Sequence, residues 1–178
     1  MKRTALLIAM TAFPAISFAA ASQNTITFKG QVSDQTCQVS VNGNSGSPIV
    51  VLPTVASSDL DTAGKFAGET PFTIAVTGCT APTTGDLNIK TTFLGADVNA
   101  GGNLGNTGTA QNVAIQLLDA TGGNPIALSG MTSVSGLILK KDETATSHDF
   151  AARYISTGAA TAGTVSASAS AQYALDYL

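Results

Sequence analysis

Apolar side chains recur at every second position in short runs, and each run is broken by glycine, proline, asparagine or aspartate. Ile26 and Phe28 share one face of the first run, with Thr25, Thr27 and Lys29 on the other. Cys37, Val39 and Val41 alternate next, then Phe72, Ile74 and Val76, then Leu87, Ile89, Thr91 and Phe93. Val113, Ile115 and Leu117 follow, and later Phe150, Ala152 and Tyr154. A period of two puts one row on a core and the other in water, which is the geometry of a β-strand. Many such runs separated by turn residues predict an all-β sandwich or barrel. Helix is confined to one short turn at Ser57-Ser58-Asp59-Leu60, stopped soon after by Gly64.

The final run carries the most information. Val165, Ala167, Ala169, Ala171, Tyr173, Leu175 and Tyr177 form one row; Ser166, Ser168, Ser170, Gln172, Ala174 and Asp176 form the other. The first row is apolar and becomes bulky toward the C-terminus, so this strand packs one side on a core and shows the other to water. It runs to the last residue, so its edge is expected to have no following strand beside it.

At the other end, Met1-Lys2-Arg3 places two positive charges before an apolar stretch from Ala5 to Phe18, followed by Ala19, Ala20 and Ala21. This is the pattern of a secretory signal peptide over residues 1–21, with cleavage expected after residue 19 or 21. The stretch is shorter than the roughly 20 apolar residues of a membrane span, and Pro14 interrupts it. Residues 22–178 then form one domain by length. The leader removes two of eight basic residues and none of eleven acidic ones, leaving six against eleven and a net charge of −5. That balance, without Lys/Arg clusters, argues against nucleic acid as a partner.

Two cysteines, Cys37 and Cys79, are an even count in an exported chain and are expected to pair as a disulfide. Metal binding is the weaker alternative, because two thiols and a single histidine cannot supply four ligands.

The inventory for catalysis is equally thin. His148 sits in Thr146-Ser147-His148-Asp149, which reads as an exposed strand end. Neighbouring residues on a strand point to opposite faces, so Ser147, His148 and Asp149 cannot form a relay. Lys140-Lys141-Asp142-Glu143 reads as a charged hairpin tip. The glycines of Gly101-Gly102-Asn103-Leu104-Gly105 match neither nucleotide-loop pattern. No catalytic residue, cofactor or metal ligand is expected, and an enzyme reading finds no support.

Several segments together resemble the major pilin subunits of type 1-like enteric fimbriae assembled by the chaperone–usher route. They are Thr25-Ile26-Thr27-Phe28-Lys29-Gly30-Gln31-Val32 ahead of Cys37; Val51-Leu52-Pro53-Thr54 ahead of Gly64-Lys65; and Thr70-Pro71-Phe72-Thr73-Ile74 leading to Gly78-Cys79. Tyr154, Thr157-Gly158, Ala160-Thr161-Ala162-Gly163 and Tyr177 complete the likeness. It implies an incomplete immunoglobulin-like β-sandwich that lacks its last strand and is completed by donor-strand exchange. The donor is then roughly residues 20–30, with Ile26 and Phe28 as its plug residues. The acceptor and chaperone-contact strand is the C-terminal one, with Tyr173, Leu175 and Tyr177 as contacts.

The partners implied are other copies of the chain, a periplasmic chaperone, an outer-membrane usher and, through the assembled fimbria, a host receptor. The location implied is the cell surface, reached through the periplasm. A receptor-binding adhesin or a minor adaptor subunit of the same fimbria is the alternative. Tip adhesins of this system usually carry an additional lectin domain, and this chain is too short for two.

Overall fold

The structure is a computed structural model that describes residues 37–175, with backbone alone at 172–175. Ile26, Phe28 and Tyr177 therefore lie outside the described residues, as does the leader. Within them the alternating runs become β1 Gln38–Val41, β2 Phe66–Thr77, β3 Leu87–Gly95 and β5 Val113–Leu118, and the glycine-rich stretch ahead of β5, read from the sequence as loop, holds a two-residue strand β4 Leu104–Gly105. β6 Thr132–Leu139, β7 Thr146–Ser156 and β8 Ala169–Leu175 follow. A single 3-10 turn at Ser57–Leu60 buries Leu60 and is the expected short helical piece.

Every strand pairing is antiparallel, and the strands fall into two sheets: β1-β2-β7-β5-β4 and β6-β3-β8. Their inner faces meet at Phe72, Ile74, Phe93, Ile115, Leu117 and Phe150. Phe150 is at the centre, with Phe72 stacked on it at 5.9 Å and Phe93 edge-on at 5.1 Å. Such ring pairs add about 0.5–1.5 kcal/mol each beyond their area. One end of the sandwich holds Cys37, Val76, Cys79, Ile89 and Leu139; the other holds Leu60, Ala110 and Val113, with Val165 packed against them. The Cys37–Cys79 disulfide forms, joining the start of β1 to the residues just past β2.

Three details differ from the sequence reading. β6 is not visible as an alternating run, because Gly136 is an extra residue in its ladder: Ile89 pairs with Leu137 but Lys90 with Ser135. Lys140–Glu143 is not a hairpin tip. It joins β6 to β7, which belong to different sheets, so the chain crosses the sandwich there. Asp86, also at this end, accepts from the Lys140 ammonium at 2.7 Å and the Lys141 amide at 3.1 Å.

His148 is not an exposed strand end either. It is half-buried on the face of β7 that carries Phe150, its ring edge-on to that phenyl at 4.6 Å. Its Nε2–H donates to the Asp119 carbonyl at 2.7 Å. The flanking polar residues Ser147 and Asp149 are the outward row of the same strand, and they hide this placement in the sequence.

Gly136 makes room for that ring. Its φ is +148°, and a Cβ there would lie 2.6 Å from the imidazole. Gly136→Val is expected to combine backbone strain with a clash against a packed ring. The expected loss is about 3 kcal/mol, roughly 10 °C in a melting curve for a domain of this size. A shift under 2 °C would mean that the bulge and the ring adjust freely.

Candidate functional site

A groove of about 1070 Å³ opens between the two sheets along one side of the sandwich. Its floor is core: Phe72, Ile74, Phe93, Leu104, Ile115 and Leu117. These residues point inward from β2, β3, β4 and β5, so the same period that builds the core also lines the groove. A smaller cavity of about 420 Å³ adjoins it at the Leu60 end, sharing Tyr154 and Val165. Among the described residues the groove lining holds no side chain that is charged at neutral pH. Tyr154 in that lining has its pKa raised by burial.

One wall is the stretch 165–171. Its first part is not sheet, as the sequence reading had it, but is held by the loop before β5 and by the residue that follows β3. The Ala110, Thr107 and Ala96 amides donate to the carbonyls of Thr164, Ser166 and Ser168 at 3.0, 2.8 and 3.1 Å. The Asn106 side chain accepts from the Ser166 amide at 2.8 Å. β8 then continues with Ser170 opposite Leu94 and Gln172 opposite Thr92. All of these bonds use the even positions. Main-chain groups of an extended chain alternate sides, so the odd positions from Val165 to Leu175 aim their N–H and C=O groups the other way. Among the described residues no strand lies on that side. The side chains of Val165, Ala167 and Ala171 also pack toward the core. Tyr173 and Leu175, expected as contacts, sit on this edge opposite Thr91 and Ile89.

The opposite wall is β1 and the segment Gly46–Leu52 that follows it. Val50 and Leu52 pack toward the core, whereas Ile49 and Val51 are exposed. This segment lies outside every ladder among the described residues. Sequence reasoning missed it because Pro48-Ile49-Val50-Val51-Leu52 is apolar throughout and shows no alternation to read.

The site is therefore an apolar slot with an unpaired β-edge, shaped for one more strand. No cluster of His, Cys, Asp or Glu that could hold a metal ion occurs among the described residues.

A family model described as fimbrial protein matches residues 26–177, spanning both the groove and the segment ahead of Cys37. The chain belongs to the fimbrial protein family. This fimbrial protein is 38% identical over 175 residues to an F17 fimbrial protein of Escherichia coli, covering 93% of this chain and 94% of that one. It is 36% identical to the minor fimbrial subunit HifD of Haemophilus influenzae, covering 97% and 81%. A solved chaperone–usher pilus matches with a TM-score of 0.60 at 21% identity, over 90% of this chain and all of that one. The two-sheet architecture is thus the incomplete immunoglobulin-like fold of chaperone–usher pilins, and the chain is a structural subunit of a fimbria. Family and fold are those of structural fimbrial subunits and not of enzymes.

Proposed function

We propose that this fimbrial protein polymerises into a pilus shaft by donating residues of about 20–30 from one copy to the groove of the next. The observation that carries this reading is the apolar groove beside an unpaired edge. An exposed edge of this kind invites either aggregation or β-augmentation. A donor with Ile26 and Phe28 on one face offers apolar plugs to an uncharged slot. Its main chain can bond to the odd positions from Val165 to Leu175.

Chain length favours donation between copies. β8 and its lead-in rise from Val165 at the Leu60 end to Leu175 at the disulfide end, about 33 Å at ~3.3 Å per residue. A segment inserted antiparallel to it finishes near Val165. If it belonged to the same copy, residues 30–36 would have to return to Cys37, and eight steps reach only about 26–29 Å. A second copy has no such constraint, and antiparallel pairing is the more stable arrangement.

During export the same groove is taken to be covered by a periplasmic chaperone and the exchange to occur at an outer-membrane usher, after cleavage of a leader at residue 19 or 21. Attachment to host surfaces is then a property of the assembled fibre, and the chain itself performs no catalysis. Shearing fibres from cells and running them unheated in SDS tests the reading. Strand donation across an interface this large gives a ladder of multimers that collapses to one band on boiling. A single monomer band before heating would sink it.

A further inference from the structure

Ile49 and Val51 are 83% and 77% exposed, the two most exposed large apolar side chains among the described residues. Their neighbours Pro48, Val50 and Leu52 are half-buried, so the segment is extended with one row turned in and Ile49 and Val51 turned out. Edge segments are usually blunted by charge. Here Ser45 to Ser57 contains no charged residue. Two β-branched apolar groups on an unladdered segment are suited to meeting another strand.

We propose that Ile49 and Val51 recognise the solvent-facing row of the donor, Thr25 and Thr27 of a second copy, while Ile26 and Phe28 fill the groove. The proposal rests on the strand-donation reading. It follows from continuity, because Gly46–Leu52 is the wall of the groove. A strand lying in the groove therefore has this segment on one side and the 165–171 edge on the other, at the ~4.8 Å spacing of a sheet.

With Ile26 and Phe28 inward, Thr25 and Thr27 must point outward. Outward neighbours across a ladder bring their Cβ atoms to about 4.5–5.5 Å. On one side these neighbours are Ile49 and Val51; on the other they are the exposed hydroxyls of Ser166, Ser168 and Ser170. Threonine carries one methyl and one hydroxyl on the same carbon, so it can meet an apolar neighbour on one flank and a hydroxyl on the other. The donor is thus read on both faces, and the outer face tests its identity.

A double-mutant cycle separates this from groove filling. The acceptor is the mature full chain carrying Ile26→Asp and Phe28→Asp, so that it can accept but not donate. The probe is a labelled peptide spanning residues 20–32, and its dissociation constant is the readout. In the peptide, Thr25→Ser with Thr27→Ser deletes two methyls and keeps both hydroxyls. The expected result is about tenfold weaker binding to the acceptor, shrinking to under twofold when the acceptor also carries Ile49→Ser and Val51→Ser. An equal loss on both acceptors, or no loss on either, would overturn the proposal. Both acceptor positions are exposed, so the variant is expected to fold, and its circular dichroism with wild-type peptide checks this. A peptide with Ile26→Asp and Phe28→Asp that still binds tightly would instead bring down the strand-donation reading itself.

Discussion

Replacing Ile26 and Phe28 together by aspartate is expected to remove fibres from the cell surface while leaving the subunit stable in its chaperone complex. Each side chain contributes about 1.5–3 kcal/mol when it leaves water for an apolar site. Aspartate forfeits that and adds the cost of bringing a carboxylate into a groove whose described lining holds no charged partner. Together the change is at least about 6 kcal/mol, or roughly four orders of magnitude in donor affinity.

The same balance is measurable on isolated parts. Residues 31–178, released from the chaperone, present six odd positions from Val165 to Leu175 beside which no strand lies among the described residues. Bonds to these at about 0.5–1.5 kcal/mol each, plus the two plugs, work against the ordering cost of a short peptide. A peptide spanning residues 20–32, supplied at about a hundred times its dissociation constant, then stabilises the domain by about 2.7 kcal/mol and is expected to raise the melting temperature by roughly 5–11 °C. The aspartate peptide should do nothing. A domain that melts cooperatively at high temperature and ignores both peptides would be a self-sufficient sandwich, and strand donation would have to be withdrawn.

The second large effect is expected at the disulfide. Cys37 and Cys79 are 42 residues apart, and closing a loop of that length stabilises by about 4 kcal/mol in the chain-entropy model. Cys37→Ser with Cys79→Ser should lower the melting temperature by roughly 8–16 °C. Position gives the bond a further effect. Among the described residues β1 is a four-residue edge strand whose ladder is with β2, and Val39 on it lines the groove. The disulfide fastens this strand at Cys37, the residue just ahead of β1, and the proposed donor segment lies N-terminal to it in the sequence. Without it, the amides of β1 should lose hydrogen-exchange protection before those of β2 and β7, and donor peptide should bind more weakly. Unchanged β1 protection, with a melting shift under 2 °C, would show that β1 is held by its ladder and core contacts.

Most strands were legible because their information is local. Phe72, Ile74 and Val76, or Leu87, Ile89, Thr91 and Phe93, declare both an extended backbone and its buried face within a few residues. β6 was not, since Gly136 inserts one residue and breaks the period. The groove was half legible. The row from Val165 to Ala171 is an alternating apolar face in the sequence, whereas Gly46–Leu52 has no polar row to mark it as an edge.

The sequence by itself determined most of the strand segments, which side of each is dry, and that two cysteines are available to pair. These follow from side-chain period and composition, which depend only on near neighbours. Tertiary structure alone decided that β6 and β7 belong to different sheets, that His148 lies under Gly136, and that the Gly46–Leu52 segment and the 165–171 stretch face each other across an unfilled slot. Such partnerships join residues from 12 to more than a hundred positions apart. They are fixed by the packing of both sheets around Phe150, which no local pattern encodes.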